Sequence, residues 1–117
     1  MSMELEMDTH PSAVIVRLKG ELDHHTADLV RSRMEEVIEQ GNRPHVILSM
    51  KELTFMDSSG LGVILGRYKQ LSNRGGKMVV CDMNESVYRL FEMSGLFKIL
   101  TIEENEEHAL SSLGVVS

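Results

Sequence analysis

Along the first stretch of the chain, apolar residues fall at every second position. Met3, Leu5 and Met7 alternate with polar neighbours within Met1 to Met7, the period of a half-buried strand. His10-Pro11-Ser12 marks a turn, and Ala13 to Lys19 then alternates again. Val14, Val16 and Leu18 take one face and Ile15 the other, so the two runs predict a hairpin. Beyond Gly20-Glu21-Leu22-Asp23 the period changes. Ala27, Val30, Met34, Val37 and Ile38 recur at helical spacing, with Asp23 or Thr26 as the cap and Gly41 as a left-handed close. Pro44 precedes His45-Val46-Ile47-Leu48-Ser49-Met50, which is short and apolar enough for a buried strand.

A second helix is predicted from Ser58 to Asn73, with Asp57 as N-cap and Leu61, Ile64, Leu65, Tyr68 and Leu71 as its apolar stripe. Gly75-Gly76 ends it, and Lys77 to Cys81 reads as a strand. Asn84 caps a short helix carrying Val87, Leu90 and Phe91, stopped by Ser94-Gly95. Phe97 to Thr101 reads as a last strand. An acidic helix follows from Glu103 to Leu113, with Ala109, Leu110 and Leu113 turned inward. The order β-β-α-β-α-β-α-β-α predicts an α/β fold. Its sheet is mixed, an N-terminal hairpin followed by parallel strands, with about four α-helices.

Composition narrows the function more than the fold. The chain has 117 residues, 42% hydrophobic and 26% charged, which suits one domain over 1–117. Net charge is −6 and the pI about 5.3, a poor match to nucleic acid or an anionic membrane but suited to a basic patch on another protein. No apolar run reaches the ~18–20 residues of a membrane span. The start, Met1-Ser2-Met3-Glu4-Leu5-Glu6, has neither the basic residues nor the apolar stretch of a secretion signal. The expected location is cytoplasmic. Cys81 is the lone cysteine and is expected to be a buried, inert thiol.

Catalytic signatures are missing. There is no Gly-x-x-x-x-Gly-Lys phosphate loop, and Gly60, Gly62 and Gly66 lack the dinucleotide spacing because Leu65 stands where a glycine is needed. No serine sits in a Gly-x-Ser-x-Gly elbow. None of His10, His24, His25, His45 and His108 has metal-ligand spacing. Adjacent His24 and His25 are expected to point in different directions, and most of the methionines, such as Met34 and Met78, to pack in the core. No metal site is expected.

What remains is Thr54-Phe55-Met56-Asp57-Ser58-Ser59-Gly60-Leu61-Gly62, where an extended run turns into a helix. A helix start exposes unpaired N–H groups and partial positive charge, which favour an anion. A hydroxyl there is placed to carry or bind a phosphate. An ordinary capped helix fits the same residues equally well, and the residues alone do not separate Ser58 from Ser59. A nucleotide-phosphate site and a phosphocarrier are rival readings. The first lacks a lysine-bearing loop, and the second would need phosphoserine, a stable ester, to act as a donor. Each helical glycine gives up about 0.8–1 kcal/mol of propensity against alanine. Such glycines allow either close packing on the sheet or a bare face for a partner.

Three runs resemble the STAS domain family, and within it the anti-sigma factor antagonists. They are Gly20-Glu21-Leu22-Asp23-His24-His25-Thr26-Ala27, the segment from Phe55 through Asp57-Ser58-Ser59-Gly60 to Gln70, and Met93-Ser94-Gly95-Leu96-Phe97-Lys98-Ile99. The resemblance implies a single STAS-like domain that is not an enzyme and needs no cofactor. Its partner would be an anti-sigma factor that is also an ATP-dependent serine kinase, and a serine phosphatase would act on the phosphorylated form. The resemblance assigns phosphorylation to Ser58 and partner contact to Asp23, Met56, Asp57, Ser59, Gly60 and Leu61.

Overall fold

Alternating residues at the N-terminus close the expected hairpin. The computed structural model describes residues 2–115, in which β1 (Met3–Thr9) pairs antiparallel with β2 (Ala13–Leu22). Leu5 faces Leu18 and Met7 faces Val16, so the apolar sets of both strands share one face. Met1, the start of the expected first strand, lies outside the described residues. The chain continues through α1 (Ala27–Gln40), β3 (His45–Met56), α2 (Ser58–Asn73), β4 (Met78–Cys81), α3 (Glu85–Ser94), β5 (Thr101–Glu103) and α4 (Glu106–Ser112). The sheet runs β1-β2-β3-β4-β5, and every pairing after the hairpin is parallel.

The central strands are apolar on both sides because both sides are covered. Val14, Val16 and Leu18 of β2, with Val46, Leu48 and Met50 of β3, meet buried residues of α1, α2 and α3. Phe91 of α3 is fully buried there; deleting such a ring costs about 3–5 kcal/mol. On the opposite side Ala13, Ile15, Ile47, Val79 and Cys81 meet only Ala109 and Leu110 of α4, with Val115 and Leu113 beside them. Burial pushes the Cys81 thiol up to about 12, so it is a packing group and not a nucleophile.

Three local expectations are corrected. Gly41 is extended (φ −80°, ψ 146°), not left-handed; glycine is required because a Cβ would lie 2.6 Å from the Val37 carbonyl oxygen. Of the strand expected over Phe97 to Thr101, only Thr101 is extended in the sheet. Gly95 turns left-handed (φ 79°), and Leu96–Lys98 form a 3-10 turn that buries Leu96 and Leu100 one helical turn apart. The strand β5 is displaced to Thr101–Glu103. The acidic helix accordingly begins after Asn105, whose side chain accepts from His108 N, so Glu103 belongs to β5.

β3 is twice the length of its apolar core, running on through Lys51, Glu52, Thr54 and Phe55 to Met56. Arg17 faces Ser49, yet Leu22 faces Met56, so five steps along β2 match seven along β3. Two register shifts, after Arg17 and after Gly20, absorb the difference. They bring the C-terminal ends of the two strands level.

Candidate functional site

Level strand ends set two strand-to-helix turns side by side. The Asp57 N–H donates to the Leu22 carbonyl at 3.2 Å and ties them together. In the first turn, Asp23 Oδ1 accepts from the N–H groups of His25 (2.8 Å) and Thr26 (3.2 Å). Thr26 Oγ1 accepts from the Asp23 N–H at 3.1 Å and donates to the Glu21 carbonyl at 2.7 Å. Asp23 and Thr26 were expected as alternative caps for α1. They work as one reciprocal brace, and Thr26 itself makes no side-chain cap bond.

Asp23 is only 3% exposed, and its Oδ2 is buried without a partner. Burial pushes its carboxyl up, but the His25 and Thr26 N–H donors and the neighbouring imidazoles outweigh that and hold it below the ordinary value. His24 and His25 do not diverge as expected. Their rings lie 3.9 Å apart at a tilt of 39°, both exposed on the outside of the turn.

The second turn uses the same residue type differently. Asp57 is extended (φ −115°, ψ −171°) and its Oδ1 accepts from the Ser59 N–H at 2.9 Å. The Asp57 carbonyl accepts from the Gly60 N–H at 3.0 Å. Two of the helix-start donors that an anion would seek are therefore occupied from within. Ser58, the first helical residue, is exposed, whereas Ser59 is half-buried. A phosphate on Ser58 would stand at the surface beside Asp57, with those two donors already engaged. It would add about −1.5 to −2 charges there.

The glycines of α2 divide as their surroundings dictate. A Cβ on Gly60 would lie 2.6 Å from Met56 Cγ and 2.9 Å from Leu22 Cγ, so Gly60 lets the helix start press onto both strand ends. Nothing lies within 4 Å of a Cβ placed on Gly62 or Gly66. Those two keep a bare strip at a cost in helix propensity that no internal contact repays. The buried face of α2 is Gly60, Val63, Ile64 and Leu71; Val63 was absent from the expected stripe, while Leu61, Leu65 and Tyr68 are only half-buried.

The expected site residues thus separate into two layers. Asp23, Met56 and Gly60 are buried in the isolated chain and shape the site from beneath. Asp57, Ser58, Ser59 and Leu61 reach the surface. Phe55 was missed. It is 46% exposed, pairs in register with Glu21 and precedes the turn. The signal was available in Phe55-Met56, since adjacent strand residues face opposite sides and Met56 takes the inward one. Among the described residues no group of three His, Cys, Asp or Glu is gathered as for a metal ion, and no helix is long and apolar enough to cross a membrane.

Comparison with known proteins bears on the same turn. The STAS domain family model matches residues 4–109. An anti-sigma F factor antagonist from Paenibacillus polymyxa is 57% identical over 117 residues, covering 100% of both chains. The solved structure of the anti-sigma factor antagonist SpoIIAA in its unphosphorylated form is similar at a TM-score of 0.73, with 31% identity over 96% of this chain and 97% of that one. That of the Bacillus cell fate determinant SpoIIAA in the phosphorylated form gives 0.72, with 34% identity over 96% and 99%.

Proposed function

The chain belongs to the STAS domain family, and from that premise we propose that it is a cytoplasmic anti-sigma factor antagonist switched by phosphorylation of Ser58. Unphosphorylated, it binds an anti-sigma factor that is also an ATP-dependent serine kinase and causes release of the sigma factor. The kinase phosphorylates Ser58, the product dissociates, and a serine phosphatase restores the binding form. ATP belongs to the partner. The antagonist is a regulator, not an enzyme, and supplies a shaped surface and one hydroxyl.

The observation that carries this reading is an exposed Ser58 at a helix start already capped by Asp57, next to the bare strip of Gly62 and Gly66. With the Ser59 and Gly60 N–H groups engaged, the phosphate has little to gain by rearranging the fold. Its effect falls on whatever faces Ser58. Like charge brought against a fitted surface costs several kcal/mol, and a phosphate next to Asp57 presents such charge to any acidic or apolar partner face. The unphosphorylated and phosphorylated SpoIIAA structures resemble this chain equally well, which supports a switch that leaves the fold in place. The burial of Ser59 favours Ser58 as acceptor.

The test uses wild type, Ser58→Ala and Ser58→Asp with the purified anti-sigma factor kinase, its sigma factor and ATP. Ser58→Ala is expected to bind the kinase and remain unphosphorylated, and Ser58→Asp to bind roughly a hundredfold more weakly. Normal binding and sigma release by Ser58→Asp would sink the charge conflict. Phosphate mapped by mass spectrometry solely to Ser59 would refute the choice of serine.

A further inference from the structure

β1 is an outer strand of the sheet, paired with β2 on one side only. The ladder itself tells which of its backbone groups that pairing uses. At one end of the hairpin the Glu21 N–H donates to the Ser2 carbonyl, and at the other the His10 N–H donates to the Ala13 carbonyl. Between them the register is unbroken, from Met3 opposite Gly20 to Thr9 opposite Val14. An antiparallel ladder bonds every second residue, so Glu4, Glu6 and Asp8 turn their N–H and C=O groups toward β2. Those of Met3, Leu5, Met7 and Thr9 point away from the sheet. No turn, loop or cap hydrogen bond among the described residues engages them.

A row of open backbone groups is a template for another strand, and proteins commonly guard it with proline, lysine or a bulge. The seven residues of β1 hold none of these. Their only charges are the carboxylates of Glu4, Glu6 and Asp8, which alternate with the apolar residues and so share the other face. Those charges argue against a second copy as occupant. Any pairing of β1 with β1 that keeps the apolar residues on one face sets carboxylate against carboxylate. A strand with cations at those positions reverses the sign. Glu6 and Asp8 already share Arg17 and Lys19 within the hairpin. Glu4 is exposed and enters no ion pair among the described residues.

The apolar face supplies an independent observation. Met3, Leu5 and Met7 are half-buried against the core. Where the end of β1 meets the last turns of α1 there is a groove of about 230 Å³, with Met7, Thr9, Val14 and Val37 in its walls. Residues opposite each other on paired strands share a face, so an apolar side chain set against Met7 would reach this groove.

We propose that the free edge of β1 binds an extended segment of a partner protein in which apolar residues alternate with lysine or arginine. The outward N–H and C=O groups of Met3, Leu5, Met7 and Thr9 hold its backbone. The groove takes an apolar side chain, and Glu4 is the carboxylate free to meet a cation. The sheet grows from five strands to six.

The probe is the acetylated, amidated peptide Lys-Val-Lys-Val-Lys-Val-Lys. It is titrated into the ¹⁵N-labelled full chain at roughly physiological salt, where loose surface attraction is screened. Saturable binding should slow amide exchange at Met3, Leu5, Met7 and Thr9 and leave Glu4, Glu6 and Asp8, bonded already, unchanged. Replacing every lysine of the peptide by glutamate should weaken it roughly tenfold, and Glu4→Gln in the protein roughly two- to threefold. Two further peptides are N-methylated, one at its valines and one at its lysines. A paired strand offers one edge only, so one of them should lose binding and the other keep it. No saturation at millimolar peptide, protection centred on Glu4, Glu6 and Asp8, or equal behaviour of the two methylated peptides would each overturn the edge site. Equal affinity for the glutamate peptide, or unchanged affinity of Glu4→Gln, would overturn the basic segment. Concentration-dependent protection of the same amides without peptide would overturn the partner in favour of a second copy.

Discussion

The turns after β2 and β3 begin alike and end as opposites. Each leaves a parallel strand at the same level, each opens with an aspartate, and each starts a helix. Asp23 is sunk beneath the surface, braced by Thr26, and bonded by two backbone donors. Asp57 caps from a half-exposed position with one side-chain bond and leaves Ser58 standing in solvent. The first turn is a fixture and the second a fitting. Rigidity in one allows the other to present a modifiable hydroxyl at a constant height, because the Asp57 N–H hangs on the Leu22 carbonyl.

Mutations that separate fixture from fitting can break this contrast. Asp23→Ala removes the carboxylate that accepts from the His25 and Thr26 N–H groups and should cause the largest loss, a fall in melting temperature of roughly 10 °C by calorimetry. The Asp23 contribution also has a pH signature. Its folded carboxyl titrates below the ordinary value, so its stabilisation is complete above that value and lost as pH falls through the folded one. The gap between wild type and Asp23→Asn in denaturant melts should therefore close in acid and stay constant from neutral to alkaline pH. Gly60→Ala comes next, at about 1–3 kcal/mol, since Met56 and Leu22 must move. Asp57→Ala should cost about 1 kcal/mol as the loss of a cap. If urea unfolding ranked Asp57→Ala above Asp23→Ala, the contrast between the turns would collapse.

Two further changes sharpen it. Gly62→Ala meets no atom and should stabilise the isolated protein by up to about 1 kcal/mol while weakening the kinase complex. Gain in both stability and affinity would mean the bare strip is not a contact. Ser58→Ala should alter stability by less than about 0.5 kcal/mol, the smallest effect of the set, yet abolish phosphate incorporation.

Features that depend on neighbours in sequence were legible in the sequence. The limits of α2, the Asp57 and Asn84 caps and the stop of α3 at Ser94-Gly95 follow from local hydrogen-bond chemistry. The hairpin follows from period-two alternation. Phe97 to Leu100 failed because a short apolar run does not reveal whether it is strand or turn; burial of Leu96 and Leu100 against the core decides it. The exposed Ser58 could be placed from the cap, but the burial of Asp23 and Gly60 could not. It arises from Leu22 and Met56 meeting across β2 and β3, a register that two irregularities set. The Arg17 fork onto Glu106 was invisible for the same reason, since the two residues are far apart in the chain.

The helix start that Asp57 occupies for itself has a consequence for time. A phosphate bound tightly by its own protein would be shielded, and its removal would first have to undo that binding. Here the Ser59 and Gly60 donors are engaged before any phosphate arrives. The ester at Ser58 would find those two donors taken, and would stay durable in water and open to any enzyme that can reach it. On the proposed cycle the chain keeps no clock of its own, and the lifetime of the mark would be set by the enzymes that write and erase it.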